Sequence, residues 1–402
     1  MHDPGTAARD RILIVGNPYL GDTILAVPLL RNLRAAFPGH AIDFLAEGRA
    51  VGRLLEGCPY VDEVLRWDRP AVPGGGHRRP VIASLESLES CAAALRPRRH
   101  ARAYVLKRSA SAALLAARAG IPHRVGHARG PASLLLTRAV RQVRDRHYAE
   151  GLLDLLRADG LPVDDGRADH WGSAAAARAR VDAVLARLPA GRPRVFVAVR
   201  ATEGRRQWPL DRWVDVLRRL VHERGVEVVF CGGPDDTPAL AALVADLGSA
   251  AAHAHDLSAA VPLADVAALL PRMDLYLGVN SGLMHLAASC GTPTVAIFDA
   301  ADVRRWRPRN RDHAILSGEG SRRGAAGAWL ARAARADGGT WSSGPAVRAV
   351  RVNEVVDAAA RFLVPPPETV PLRTLDLRTG RHRYEVTVRP AAVPVVPVSA
   401  AG

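Results

Sequence analysis

Arg11-Ile-Leu-Ile-Val-Gly-Asn-Pro-Tyr-Leu-Gly-Asp-Thr-Ile-Leu-Ala-Val-Pro28 decides the fold. Arg11–Val15 is a short apolar run of the kind buried on both faces of a parallel sheet, and residues 16–21 form a turn. From Asp22 the apolar residues Ile24, Leu25, Val27, Leu29, Leu30 and Leu33 recur at helical spacing, which predicts a helix over 22–36 closed by Pro38-Gly39. A strand over 41–46, a helix over 51–56 and a strand over 61–65 follow in the βαβ rhythm of a parallel sheet.

The rhythm continues with a strand over 103–106, an Ala/Leu-rich helix over 109–119, a strand and turn over 121–126, and helices over 147–156 and 174–188. Residues 70–80, with Gly74-Gly75-Gly76, and the polar stretch 161–172 read as loops. Pro189-Ala-Gly-Arg-Pro193 has a linker's composition, and after it the pattern begins again. Strands are expected over 194–199, 226–231 (closed by Gly232-Gly233-Pro234), 275–279 and 294–298, and helices over 210–224, 239–247, 262–270, 281–289 and 352–363. The reading is α/β: two doubly wound domains over 1–190 and 191–364, and a tail over 365–402. Residues 317–350 are rich in Gly, Arg and Ser around a helix expected at 328–336. The tail, from Pro365-Pro366-Pro367 through the strand-like Tyr384-Glu-Val-Thr-Val388, has no assigned role. Ligands of doubly wound sheets bind outside the carboxyl ends of the strands, so the cleft between the halves is the expected site.

A chain of 402 residues has enough length for two or three cores, and 48% hydrophobic with 24% charged residues excludes wholesale disorder. The 55 basic residues outnumber 40 acidic ones, a net charge of +15, yet Lys107 is the single lysine and Arg and Ala recur regardless of context, as GC-rich coding produces. No zinc finger, RNP aromatics or long basic run accompanies the charge. It reads as solvated surface, with an anionic ligand such as a nucleotide diphosphate or an anionic membrane surface as the remaining partners, and no nucleic-acid partner. Cys58, Cys91, Cys231 and Cys290 are far apart, which suggests neither a zinc site nor a disulfide framework. The apolar run at 12–15 is too short for a signal peptide and no run approaches ~18 apolar residues. A cytoplasmic protein is expected, with peripheral contact at the inner membrane face left open.

Three segments can carry chemistry. Gly278-Val-Asn-Ser-Gly-Leu-Met-His285 follows a strand and opens a helix, whose unpartnered N–H groups and dipole suit a phosphate or diphosphate. Gly282 permits close approach, and Asn280 and Ser281 offer short polar groups; an ordinary N-cap and a satisfied core histidine at His285 account for the same residues. In Gly16-Asn-Pro-Tyr-Leu-Gly-Asp22, the Asp22 carboxylate stands at a helix start facing the expected cleft, where it can accept a proton from an attacking hydroxyl or simply serve the helix N-terminus. In Arg200-Ala-Thr-Glu-Gly-Arg-Arg-Gln-Trp-Pro209, Arg205 or Arg206 can pair with phosphate, or the turn is merely solvated. The chain lacks a P-loop and a strand-linked G-x-G-x-x-G, which removes the main support for ATPase and dehydrogenase readings. It also lacks Asp-x-Asp, so positive side chains and helix ends are expected to stabilise a leaving diphosphate without a metal.

Taken in order, Arg11-Ile-Leu-Ile-Val15, Leu20-Gly-Asp-Thr-Ile-Leu-Ala-Val-Pro28, Ala119-Gly-Ile-Pro-His-Arg-Val-Gly126, Gln207-Trp-Pro209, Cys231-Gly-Gly-Pro234, Gly278 to Ala288 and Gly291-Thr-Pro-Thr-Val-Ala-Ile-Phe298 resemble the ADP-heptose:lipopolysaccharide heptosyltransferases, glycosyltransferase family 9. The resemblance covers roughly residues 11 to 311. It implies a GT-B arrangement, with an acceptor-binding first domain, a nucleotide-sugar-binding second domain, and inversion at the anomeric centre with no cofactor and no metal. By resemblance Asp22 is the base for the acceptor hydroxyl, and Gly21 and Arg124 belong to the acceptor-side loops. Arg206, Asn280, Ser281, Gly282 and His285 fall to the donor. Two positions depart from the family: Arg206 stands where a lysine contacts the donor phosphates, and Asn280 where an aspartate precedes Ser/Thr-Gly. These departures motivate an alternative, a noncatalytic nucleotide-sugar-binding protein derived from the family. The acceptor implied is a glycan, the lipopolysaccharide core or a natural product.

Overall fold

The computed structural model describes residues 10–67, 81–143, 145–164, 166–233, 236–310, 312–318 and 344–363, and the strands at 374–379 and 382–387. One sheet comprises β1 (Arg11–Val15), β2 (Ala41–Ala46), β3 (Glu63–Arg66), β4 (His100–Val105), β5 (His123–His127) and β6 (Arg138–Val140), in the order β3-β2-β1-β4-β5-β6. All its pairs are parallel. The second contains β7 (Arg194–Ala198), β8 (Glu227–Phe230), β9 (Ala254–Asp256), β10 (Leu275–Val279), β11 (Thr294–Ile297) and β12 (His313–Leu316), and repeats the order as β9-β8-β7-β10-β11-β12. Both sheets therefore reverse their winding beside their first strand, between β1 and β4 and between β7 and β10. Crossover helices leave such a point toward opposite faces, and a crevice opens at the carboxyl ends of the strands.

The central strands are largely apolar because both faces are covered, while the edge strands β3, β6 and β9 carry exposed polar residues. Ile12 and Ile14 pack with Leu29, Leu30 and Leu33 of helix Val27–Ala36, while Leu13 and Val15 point to the other face and pack with Leu115 of helix Ala110–Arg118. In the second half Val195 and Val197 meet Trp213, Leu217 and Leu220 of helix Leu210–Arg224, and Phe196 meets Met284 and Leu286 of helix Gly282–Ser289.

The helix expected over 22–36 is two helices, Leu20–Ile24 and Val27–Ala36. Pro28 has no N–H to return to the Ile24 carbonyl, so the helix breaks at Leu25-Ala26. The short first piece is thereby free to turn toward the other half: Ile24 is buried in the second half's core cluster, Leu25 in the first half's.

Helix Ala175–Leu185, although it precedes residue 190, packs with the second half. Ala177, Val181 and Leu185 join Val266, Leu270 and Met273, and Arg180 pairs with Asp265 at 2.8 Å. The strand-like residues of the tail lie in β14 (His382–Thr387), which pairs antiparallel with β12 and with β13 (Thr374–Thr379) and extends the second sheet to eight strands. Helix Val81–Leu95 and strands β6, β9 and β12 are elements the sequence pattern did not single out. The loop at 70–80, Pro234, the helix expected at 328–336, Pro365-Pro366-Pro367 and Val388 lie outside the described residues. Among the described residues no helix is long and apolar enough to cross a membrane, and the four cysteines are unpaired.

Candidate active site

The two glycine-bearing helix starts meet. Helix Leu20–Ile24 follows β1, helix Gly282–Ser289 follows β10, and both strands end at their sheet's winding reversal. A Cβ on Gly21 would lie 2.8 Å from His285 Cδ2, and one on Gly282 would lie 2.8 Å from Leu20 Cβ and 3.2 Å from the Gly21 nitrogen. Both are closer than real side chains approach, so glycine at each position is what lets the two halves touch. The part Gly21 and Gly282 play in the fold is thus one of spacing.

Asp22 sits in the first turn of its helix, which has no side-chain N-cap at Tyr19. Burial raises its carboxyl pKa from 3.8 to about 6, and the Tyr148 hydroxyl, Arg305 and Arg206 oppose that rise. Tyr148 opens helix Tyr148–Ala158, is itself buried, and receives a 2.5 Å hydrogen bond from Asn17 Nδ2. Its ring stacks on Trp306 at 4.7 Å and 24°, a contact from the first half to the second. The Arg305 guanidinium lies 5.6 Å from the Tyr148 ring centroid.

In the second half Ser281 is the N-cap of its helix: its hydroxyl accepts from Met284 N at 3.4 Å and lies 3.2 Å from Tyr276 Oη. Asn280 is 2% exposed, its backbone N–H bonds the Ile297 carbonyl, and its Nδ2 is buried with no hydrogen-bond partner. An unpaired buried amide is costly, and this one has a donor left to give. His285 is buried and its pKa falls to about 3 through burial, then repulsion from His147 and Arg206, so the ring is neutral near pH 7 and packs edge-on to Trp306 at 6.4 Å.

Arg206 ends the turn Gly204–Arg206 after β7. Its Nε donates to Asp302 at 2.8 Å and its guanidinium lies 3.3 Å from Glu203, while Arg205 pairs with Glu203, Asp299 and Asp302. The basic turn is therefore matched by three carboxylates. Buried Trp208, bonded to the Val350 carbonyl, anchors it to the core. Arg124 takes no part. It lies near the amino end of β5, and its guanidinium donates to the carbonyls of Ile121, Pro122 and Leu135, which ties strand to loop. Among the described residues no group of three or more His, Cys, Asp or Glu is arranged to hold a metal ion.

The family model described as glycosyltransferase family 9 (heptosyltransferase) matches residues 89–324, more than half of the chain. The chain belongs to glycosyltransferase family 9. It is 28% identical to lipopolysaccharide heptosyltransferase 2 of Escherichia coli K12 over 310 residues, which cover 72% of this chain and 82% of that one. It is 32% identical to an Escherichia coli lipopolysaccharide heptosyltransferase 3 over 101 residues, 25% of this chain and 29% of the other. The solved structure of E. coli ADP-heptose lps heptosyltransferase II superposes with a TM-score of 0.70 at 21% identity, covering 88% of this chain and 98% of that one. That of E. coli heptosyltransferase WaaC with ADP gives 0.62 at 19%, covering 88% and 99%. The fold is GT-B.

Asp22 lies outside the matched 89–324 segment, so in this family 9 glycosyltransferase its placement rests on the geometry above. The structure brings Gly21, Asp22, Arg206, Gly282 and His285 together and leaves Arg124 apart. Tyr148, Trp306, Arg305 and Arg108 escaped sequence reasoning. Arg108 follows β4, has a buried unpartnered Nε, and is held below the usual arginine range by burial and by Arg305 and Arg129. No spacing announces these residues, because they come to the surroundings of Asp22 from segments 86 to 284 positions away, Tyr148 and Arg305 acting on it directly and Trp306 and Arg108 through their neighbours; only Asn17 lay inside a motif already singled out.

Proposed function

We propose that this glycosyltransferase moves a heptose, or a related sugar, from an ADP-linked donor to a hydroxyl of a glycan, lipopolysaccharide-core or natural-product acceptor, with inversion and without a metal. The observation that carries the reading is Asp22, a carboxylate raised to about pKa 6, held against the donor-side helix start at Gly282 by two glycines. A base of that pKa is ionised near neutrality yet basic enough to take a proton in the transition state. Asp22 removes the acceptor hydroxyl proton as the oxygen attacks the anomeric carbon. The carbon–oxygen bond to the diphosphate breaks on the opposite face, and its electron pair leaves on ADP. A single displacement of this kind inverts the centre.

Arg206, at the same cleft by its influence on Asp22 and His285, supplies positive charge to the departing diphosphate. The N–H groups at the start of helix Gly282–Ser289 add to it, and the Nδ2 of Asn280 donates to a donor oxygen. The neutral His285 is a packing wall. An acceptor in the cell envelope would bring the protein to the inner membrane face peripherally. The test is ADP release from ADP-heptose with a deacylated lipopolysaccharide core, for the native protein and Asp22→Asn. Loss of turnover with retained ADP binding, an acid limb near pH 6 in kcat/KM, and indifference to EDTA are expected. Near-native turnover of a folded Asp22→Asn protein would overturn the assignment.

A further inference from the structure

Tyr148 has four independent restraints and one free proton. Residue His147 caps its helix, with Nδ1 accepting from Ala149 N at 3.2 Å and Nε2 donating to the Arg307 carbonyl at 3.0 Å, so the helix start is pinned to the second half as well as the first. The Trp306 stack fixes the ring plane. Arg305 covers the ring, and Asn17 donates to the hydroxyl oxygen. With its oxygen already accepting from Asn17, the hydroxyl has its proton left to give, and Asp22 is the neighbouring carboxyl whose ionised form that hydroxyl favours.

We infer that Tyr148 is the positioning residue of Asp22, holding one carboxylate oxygen through its hydroxyl so that the other faces the acceptor, and that Trp306 and Arg307 of the second half complete this arrangement. The inference rests on the reading of Asp22 as the base. Its physical content is that a carboxylate on a short helix without a side-chain cap would otherwise turn freely about its own side-chain bonds, and misaligned proton acceptors lose rate steeply. A hydrogen bond from a neutral donor also favours the ionised carboxylate. The charged and titratable groups facing Asp22 are Tyr148, Arg305 and Arg206; His285, His147 and Arg108 stand one neighbour away. The cations Arg305 and Arg206 support the anion too, and Tyr148 differs from them in being the one that fixes its direction.

Tyr148→Phe keeps the ring and its stack on Trp306 while removing the proton. Two measurements on this variant separate the inference from the reading beneath it. The first follows the Asp22 carboxyl by carbon NMR of protein labelled at aspartate, the signal identified by its loss in Asp22→Asn; this needs no substrate. The Asp22 titration should move upward in Tyr148→Phe, by about one pH unit. The second is turnover of ADP-heptose with the deacylated core: kcat should fall about tenfold, the acid limb should shift upward with the titration, and the donor KM should stay within about twofold. Asn17→Ala, which leaves Tyr148 in place but removes the donor behind it, should move both readouts the same way by less. An unmoved titration and an unmoved pH profile in Tyr148→Phe overturn the inference. Native turnover by Asp22→Asn overturns the reading of the base instead, and the NMR shift still reports whether Tyr148 governs that carboxyl.

Discussion

The two helix starts that meet in the cleft are built by opposite rules. Helix Gly282–Ser289 satisfies itself: Ser281 caps it, its residues from Met284 to Ser289 are buried, and its histidine is neutral. Helix Leu20–Ile24 has five residues, no side-chain cap and a carboxylate that burial makes reluctant to ionise. One buries its side chains in the fold, and the other carries a carboxyl that burial pushes toward its neutral form against the pull of Tyr148, Arg305 and Arg206. The proposed base is of the second kind, because a proton acceptor fully satisfied by its own helix has no reason to take another proton.

Asp22→Asn tests that contrast most strongly. Turnover should fall about 10²-fold or more. Stability should move the other way. The native carboxyl binds its proton more tightly than the unfolded one, so ionisation costs the folded state nothing below about pH 4 and its full amount above about pH 6. Thermal melts should show Asp22→Asn more stable than the native protein at pH 8, by about 1 to 3 kcal/mol, with the gain gone at pH 4. A variant equally stable at both pH values would mean that Asp22 is not strained by its site.

Gly282→Ala probes the contact itself. The new Cβ meets Leu20 Cβ at 2.8 Å and backbone at 3.2 Å, so the helix starts must separate. A loss of about 1 to 3 kcal/mol in denaturant unfolding, with a fall in kcat, is expected. Gly39→Ala, which meets nothing within 4 Å, serves as the control and should stay within about 0.5 kcal/mol. Equal effects at the two positions would deny that the halves depend on that approach.

Arg206→Ala should weaken ADP binding by about 1.5 kcal/mol in calorimetry, roughly tenfold. The lower end of the charge-assisted range applies because Arg206 already donates to Asp302 and must share that bond with the diphosphate. The smallest effect is expected at Asn280. Its buried Nδ2 can donate and a carboxylate cannot, so Asn280→Asp should shift the ratio of kcat/KM between ADP-heptose and other nucleotide-sugars by a few-fold, about 1 kcal/mol, instead of raising all rates together. Unmoved ratios would place Asn280 outside donor recognition. Activity that appears only in Asn280→Asp would point to a protein that binds donors without transferring them.

Much of this was legible in the linear pattern. The apolar run at Arg11–Val15, the repeated strand and helix spacing, and the restart at Arg194 determine two parallel α/β sheets, because strands covered on both faces read as nearly continuous apolar runs. Asp22, Gly21, Gly282 and Arg206 were legible as well, since turns after parallel strands are where ligands meet such sheets. What the sequence could not decide is which of those turns face one another. Pro28 breaks one helix and swings Leu20–Ile24 onto the other half, helix Ala175–Leu185 crosses to the second core, and β14 pairs with β12, a strand that ended 66 positions earlier. Arg124 looked like a site residue because its motif did, and its guanidinium proved to be occupied by three carbonyls. Tyr148, Trp306 and Asn17 act as a unit through contacts spanning 131 and 158 positions, and a hydrogen bond or a ring stack depends on distance in space alone. Periodicity records which face of an element is buried; only the packed tertiary structure settles what that face is buried against, and so which base has a neighbour to aim it.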